Sequence, residues 1–574
     1  MDKEKKKKLI LILTITMIII TIGFAVAIIF ELAVPSRKEI KLYDKEVYEA
    51  VVDGKLRKDV IFSEGERYFS YDLVKTGIDK YIWKDDEAGV ITVISENGTY
   101  DISIEDTKYV LVEDNITYIK ETFLSMAYDI DFPYDEENNV SIFINEEMCI
   151  GDIMPLNGVL YIRSGPSIRK PRVKTVENEK GKVIAKALED TSDKWIKVIA
   201  LTGEVGYVRR EDVDFIENKM YTGEFKGINT GLPGINGGTD RIKEKINNFK
   251  EKFNDNKINM VWEAVYSKNP KVENIGEMKG LNVIAPTWFK LSDVSGKIDC
   301  MADKEYVQWA HDRGYYVWGT VVSNEDSDLT SGMLSNYEVR CKFINDIVNY
   351  ALEYNLDGIN IDFEKMYEKD KMLFTQFVRD LSSLCHRSGL IVSCDVTVLS
   401  NSPVWSLCYD RPSLSDSVDY MCVMFYDQHS ANGGKSGSVA QLSWTVSSLQ
   451  SILKQIPNER LILGIPLYTR LWKEQELDGE LKVTSENYYM KASQDLKEKL
   501  FTEKGIKAVW DDESGQYYIE YEEDDVFFKL WIEDETSIRK RVELVGEYDL
   551  AGCAAWRRGF ETPDIWNVIS EVLN

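Results

Sequence analysis

The stretch Leu356-Asp357-Gly358-Ile359-Asn360-Ile361-Asp362-Phe363-Glu364 decides the fold. It lies between two segments in which apolar residues recur at three- and four-residue spacing. These are 339–354 (Val339, Phe343, Ile347, Ala351) and 371–387 (Leu373, Phe377, Leu381, Leu384). A strand enclosed by two helices is one step of a repeating pattern, and the pattern continues in both directions. Strand-like runs at 258–265, 281–286, 315–322, 356–363, 390–397, 419–425, 460–466 and 551–556 alternate with helical segments. Eight such strands over 240–574 predict an α/β fold, a parallel (β/α)8 TIM barrel. The stretch 473–545 is too long for a connecting loop, and its β runs near 508–510, 517–521 and 526–531 predict a small α+β insertion.

Barrel chemistry belongs at the C-terminal ends of the strands. Side chains alternate faces along a strand, so Asn360, Asp362 and Glu364 share one side. Successive members are ~6.6 Å apart along the chain direction. Two carboxylates on one interior face are electrostatically costly, which favours a catalytic over a structural role. One acid that holds its proton beside an ionised partner is the expected solution. Asp357 has the opposite parity and is expected to brace the strand.

The sequence Asp357-Gly358-x-Asn360-x-Asp362-x-Glu364 resembles the strand-four signature of glycoside hydrolase family 18. Three further segments match in order: Met424-Phe425-Tyr426-Asp427, Gly464-Ile465-Pro466-Leu467-Tyr468, and Trp556. The resemblance covers about the last 335 residues. Within the family, the Asn-containing motif, Trp262-Glu263 and Pro286-Thr287-Trp288-Phe289 are more similar to spore-cortex-lytic and wall N-acetylglucosaminidases than to chitinases. The resemblance implies cleavage of the β-1,4 bond after N-acetylglucosamine, with the substrate's own 2-acetamido oxygen as nucleophile. It implies Glu364 as general acid and base, Asp362 orienting the acetamido group, and Tyr426 donating to its oxygen. Asp427 and Met424 would contact the sugar, Trp556 would form its floor, and Trp262 and Trp288 would stand at the rim. Position 360 departs from the commoner Asp. Asn360 is expected to keep Asp362 ionised, so Asn360→Asp should alter the acid limb of the pH–rate profile. Arg470, just past strand seven, binds a polar substituent or pairs with an acidic neighbour; Trp472 reads as packing.

Upstream, residues 38–150 repeat with a period of 50: Tyr68 aligns with Tyr118, Val74 with Leu124, Asp85 with Asp135, Val90 with Val140. Two units of strand, helix, acidic turn and β run are expected to pack on one another, since neither buries its apolar face alone. The pattern resembles the small α+β repeat domain named after the N-terminal region of copper amine oxidases, without its copper chemistry. Residues 155–217 carry short β runs with Gly and charged turns, and resemble a bacterial Src-homology-3-like domain, a small β-barrel. A Gly-rich linker near 227–240 follows.

The chain opens with five lysines in residues 1–8, then an uncharged run from Leu9 to Phe30. Those residues predict a transmembrane helix, with the basic tail in the cytoplasm and the remainder outside. A cleaved signal peptide is the rival reading. The eight cysteines form no CxxC pair, and the three histidines stand in no ligand spacing with them, so neither a disulfide framework nor metal is expected. No cofactor is expected. Of 574 residues, 97 are acidic and 70 basic; the net charge of −27 argues against a nucleic-acid partner. The sequence therefore points to a membrane-anchored, extracytoplasmic glycosidase whose partner is an N-acetylglucosamine-containing glycan, peptidoglycan or chitin. A chitinase is the alternative enzyme, and a catalytically silent wall-glycan lectin the binding alternative.

Overall fold

In the computed structural model, eight parallel strands close into a barrel. They are β1 (Ile258–Glu263), β2 (Val283–Pro286), β3 (Tyr316–Val322), β4 (Gly358–Asp362), β5 (Ile391–Thr397), β6 (Tyr420–Met424), β7 (Leu461–Pro466) and β8 (Gly552–Trp556). Sequence neighbours pair throughout, β8 also pairs with β1, and β2 meets β3 through Val283↔Tyr316, so no edge is left open. The structure describes residues 14–18, 20–22, 35–43, 48–217 apart from 53–54, 96–97, 129, 131, 136–138 and 145–148, and 257–573 apart from 432.

Alternation along these strands builds two cores. Inward residues Met260, Trp262, Val283, Ala285, Trp318, Cys422, Ile462 and Ala554 fill the barrel. Outward residues such as Val261, Ile284, Ile361, Val392 and Leu463 pack against the helices, including Tyr337–Glu353 and Lys371–Arg387. Helix starts are fixed by side chains that accept otherwise unpaired N–H groups: Asp303 caps Lys304–His311 and Asn336 caps Tyr337–Glu353. Asp357 braces β4 from below, its Oδ2 lying 2.7 Å from His311 Nε2 and 2.9 Å from the Val317 amide.

An antiparallel five-stranded sheet is inserted after β7. Its order is Glu480–Tyr489, Tyr468–Leu477, Val526–Ile532, Gln516–Glu523, Val509–Asp511, with helix Met490–Lys504 alongside. The insertion therefore spans 468–532, where 473–545 was expected. At its start, Tyr468–Trp472 are buried strand residues continuing from β7. At its end, helix Glu535–Glu547 turns Ile538, Arg541, Val542 and Val545 inward and packs on β7 and β8, as a barrel helix does. Arg541 lies 2.6 Å from Glu533, both wholly buried, and donates to the Ala440 carbonyl; Glu533 also accepts from Gln516 and Ser537.

The chain divides into two compact units, one covering most of the residues up to 226 and the other containing the barrel. In the first, Val60–Ser63 and Glu66–Ser70 lead into helix Tyr71–Gly77, while Val110–Glu113 and Ile116–Lys120 lead into helix Glu121–Tyr128. The offset is the 50 residues read from the sequence. The second strands of the two units pair through Phe69↔Ile119, and Leu73, Val74, Phe123 and Leu124 share one core. Seven further strands form a single sheet whose first strand, Gly151–Pro155, pairs with its last, Val213–Glu217, over a core of Ile153, Leu160, Ile162, Ile196, Val198 and Val208. This module opens at Gly151, before the expected 155.

Of the predicted transmembrane helix over 9–30, residues 14–18 and 20–22 are described, and they are helical and exposed. No helix among the described residues is long and apolar enough to cross a membrane. The basic tail and the 227–240 linker lie outside the described residues.

Candidate active site

β4 carries the site. Its outward residue just past the strand, Phe363, is fully buried against Phe343, Phe374 and Phe377. That anchor turns Asp362 and Glu364 to the other side, into a cavity of about 830 Å³ at the C-terminal mouth of the barrel. Asp362, Glu364, Trp288 and Trp556 line it, with Tyr266 and Glu325. Burial, reinforced by Asp362, Glu325 and Asp427, pushes the Glu364 carboxyl well above the usual range. Burial does the same to Asp362, reinforced by Asp395 and Glu325. Among the described residues neither carboxylate forms an ion pair, and Asp362 Oδ1 has no protein hydrogen-bond partner.

The other expected residues divide into cleft and interior. Tyr426, just beyond β6, is buried, and burial together with the field of Tyr468, Asp395, Glu364 and Asp362 holds its hydroxyl firmly protonated. Met424 is buried at the end of β6. Asp427 accepts hydrogen bonds from the Tyr468 hydroxyl and from Arg470, whose guanidinium also meets Asn487 of the inserted sheet. Arg470 thus pairs with an acid. Trp472 is packing, with its ring N–H on the Gly437 carbonyl.

Trp262 is not a rim residue, and Trp288 lines the cleft only as part of its buried wall. Trp262 lies inside the barrel, 1% exposed, because its parity on β1 is that of Met260. Trp288 is fully buried, and its ring N–H donates to Asn269 at 2.6 Å. Asn360 likewise does something other than hold Asp362 ionised. Its amide donates to Asp395 Oδ1 at 2.7 Å and Ser393 Oγ at 2.9 Å, and its carbonyl accepts from Trp262 and Thr320, each at 3.1 Å. Asp362, left with its burial and the Asp395 field, is shifted toward its protonated form.

Asp395 is the residue that sequence reasoning missed. It lies on β5, 1% exposed, with the interior parity of Ser393. A lone Asp within the apolar run Ile391–Thr397 was the available signal. Lys290 and Tyr266, which line the cleft, and Arg557 beside Tyr266 were also missed, since no motif contains them. Among the described residues no cluster of His, Cys, Asp and Glu is arranged to hold a metal ion. The arrangement suits acid–base chemistry: carboxyls that burial holds above their ordinary range, in a cleft that Trp556 also lines.

Residues 298–561 match the model described as glycosyl hydrolases family 18. The chain carries a family 18 domain. Its barrel begins upstream of the matched segment, since β1 and β2 lie at 258–286. The chain is 27% identical over 300 residues to the uncharacterized glycosylase YvbX of Bacillus subtilis, which covers 50% of this chain and 84% of that protein. It is 23% identical over 247 residues to the cortical fragment-lytic enzyme of Bacillus subtilis, covering 42% of this chain and 56% of the relative. The family 18 domain also superposes on the C-terminal domain of a putative chitinase from Desulfitobacterium hafniense, with a TM-score of 0.50 and 22% identity over 56% of this chain and all of that one.

Proposed function

We propose that the family 18 domain hydrolyses the β-1,4 bond following N-acetylglucosamine in peptidoglycan, with retention of configuration. The carrying observation is the placement of Glu364 and Asp362 in one cleft with Trp556, both acids held above their ordinary range by burial. Glu364, protonated at rest, gives its proton to the leaving glycosidic oxygen. The substrate's acetamido oxygen attacks the anomeric carbon from the opposite face, and the C–O bond to the leaving sugar breaks. Asp362 accepts from the acetamido N–H and offsets the positive charge on that nitrogen, while Tyr426 donates to the acetamido oxygen. Water then attacks the anomeric carbon, Glu364 recovers a proton from it, and two inversions leave the configuration unchanged. Mass spectrometry of borohydride-reduced digestion products tests this. Reduced N-acetylglucosamine at the new end is expected; reduced muramic acid, or no product from any glycan, overturns it.

Peptidoglycan is favoured over chitin by two cations, one lining the cleft and one beside it. Arg557, next to the indole floor, has its guanidinium carbon 4.1 Å from the Phe560 ring centre and 5.6 Å from that of Tyr266, itself 79% exposed. Lys290 lines the same cleft. Neither forms an ion pair among the described residues. Chitin is neutral, whereas peptidoglycan carries carboxyl groups on its lactyl-peptide branches, which such cations would bind. Arg557→Ala should raise KM for peptidoglycan fragments about tenfold, the worth of one partly exposed charge-assisted contact of about 1.4 kcal/mol. KM for chitin oligosaccharides should stay unchanged, and an equal rise for both would favour the chitinase reading.

We further propose that the protein is anchored in a membrane through residues 9–30, with the barrel outside the cell. Five lysines before 22 uncharged residues support this, as do the exposed apolar side chains of Ile15, Met17, Ile18, Ile20 and Ile22. Recovery of the full chain in the soluble rather than the membrane fraction would overturn it. The 151–217 module is read as a Src-homology-3-like holder of wall material, and the repeat before it as copper-amine-oxidase-N-terminal-like. Co-sedimentation with purified wall that is unaffected by removing residues 1–217 would count against the first of these roles.

A further inference from the structure

The sheet ends before its acid does. β4 pairs with β3 as far as Asp362 and with β5 as far as Ile361, so Glu364 stands past the last ladder contact on both sides. Directly after it, Lys365 takes a left-handed conformation with φ 57°, and extended backbone stops. A general acid works only when held to about 0.5 Å of its position, and here no ladder does the holding. Three successive carbonyls are taken by hydroxyl groups instead. Tyr409 donates to the Phe363 carbonyl at 2.8 Å, Ser323 to that of Glu364 at 3.1 Å, and Ser327 to that of Lys365. Tyr409 comes from the segment between β5 and β6, Ser323 follows β3 directly, and Ser327 opens helix Ser327–Ser335. The donors thus reach the end of β4 from both of its neighbours. Tyr409 is 4% exposed and Ser323 1%, which leaves no solvent to replace either hydroxyl.

The clamp is itself supported. The Tyr409 ring meets Phe374 edge-on, and Phe374 stacks on Phe363, so Phe363 is fixed by its ring and its carbonyl together. The buried Arg411 guanidinium donates to the Thr397 and Ser406 carbonyls and ties the segment carrying Tyr409 back to the end of β5. Burial, reinforced by Cys408, Glu364 and Asp362, keeps the Tyr409 hydroxyl protonated, so it donates wherever the carboxyls titrate.

We propose that Tyr409 and Ser323 are positioning residues for Glu364: two buried hydroxyls, one from each side of β4, that clamp the Phe363 and Glu364 carbonyls and aim the carboxyl at the scissile bond. This rests on the glycosidase reading above, in which Glu364 is the acid. Both hydroxyl protons are committed to backbone, so neither takes part in proton transfer. Without a clamp the end of β4 samples more positions, and Glu364 spends less time aligned with the leaving oxygen. Turnover falls, while the cleft that holds the glycan is unchanged.

The test measures kcat and KM on soluble peptidoglycan fragments for wild type, Tyr409→Phe, Ser323→Ala and the double variant, each well below its melting temperature. Each single variant should lose about tenfold in kcat and the double variant about a hundredfold, with KM unchanged. Tyr315→Phe is the control. It removes a buried hydroxyl that donates to the Met278 carbonyl just before β3, at the opposite end of the barrel, and should leave kcat as in wild type. Should Tyr409→Phe fail to fold, Ser323→Ala is the smaller change and decides the matter alone. Single variants that keep the wild-type kcat, or that lose activity through KM, overturn the proposal, and an active wild type then leaves the glycosidase reading standing. A wild type inactive on every glycan overturns that reading and this role with it.

Discussion

Glu364→Gln should lower kcat by about 10³- to 10⁴-fold while glycan binding persists. Glutamine keeps the shape of the side chain and its place in the cleft but has no proton to give the leaving oxygen. Measured by product release from peptidoglycan, with binding followed by co-sedimentation, the variant separates an enzyme from a lectin. In a lectin, wild type and variant would bind alike and neither would turn over. The same substitution should raise stability at neutral pH. Glu364 is held above its unfolded value by burial and by Asp362, so the folded state binds more protons there than the unfolded chain. Stability falls as pH rises from the ordinary glutamate range through the raised folded value, because the folded protein must ionise a buried acid that the unfolded chain ionises freely. The variant, lacking that acid, escapes the loss. Its melting temperature should exceed the wild type's at neutral pH, with the difference closing below the ordinary carboxylate range. A variant less stable than wild type at both ends would contradict the burial argument.

Arg541→Met should destabilise the barrel by about 3–5 kcal/mol, because it strands a fully buried carboxylate. Glu533 and Arg541 are each no more than 1% exposed and lie 2.6 Å apart. Burial pushes Glu533 up even with Arg541 opposing it, which shows how far desolvation counts at this place. Removing the arginine leaves Glu533 to take up a proton or pull water inward, and also frees the Ala440 carbonyl. The pair joins the last strand of the inserted sheet to the helix that returns to β8, so the two should loosen together. Urea unfolding of wild type, Arg541→Met, Glu533→Leu and the double variant checks this. The double variant should recover most of the loss, since it removes both charges. A single-variant cost below about 1 kcal/mol would mean that the pair is solvated.

The barrel was legible because each strand is an apolar run short enough to be one, and each intervening helix repeats its apolar residues at helical spacing. Asp362 and Glu364 were legible for the opposite reason: acids on one face of a buried strand contradict the pattern around them. Interior hydrogen bonds were not legible, because they join residues far apart in the chain. Asn360 was assigned to its sequence neighbour Asp362, yet its partners come from β1, β3 and β5. Trp262 was placed at the rim by the family resemblance, whereas parity with Met260 puts it inside. The insertion started earlier than expected because Tyr468–Trp472, with Thr469 and Arg470 included, forms a buried strand directly after β7.

The Asn360–Asp395 contact, 2.7 Å across the β4–β5 seam, also constrains how such a sequence changes over time. Losing the amide would take the donor from Asp395 Oδ1, and losing the acid would leave the Asn360 amide without that acceptor. A change at either position is therefore felt at the other. The two sites should drift as one unit of inheritance.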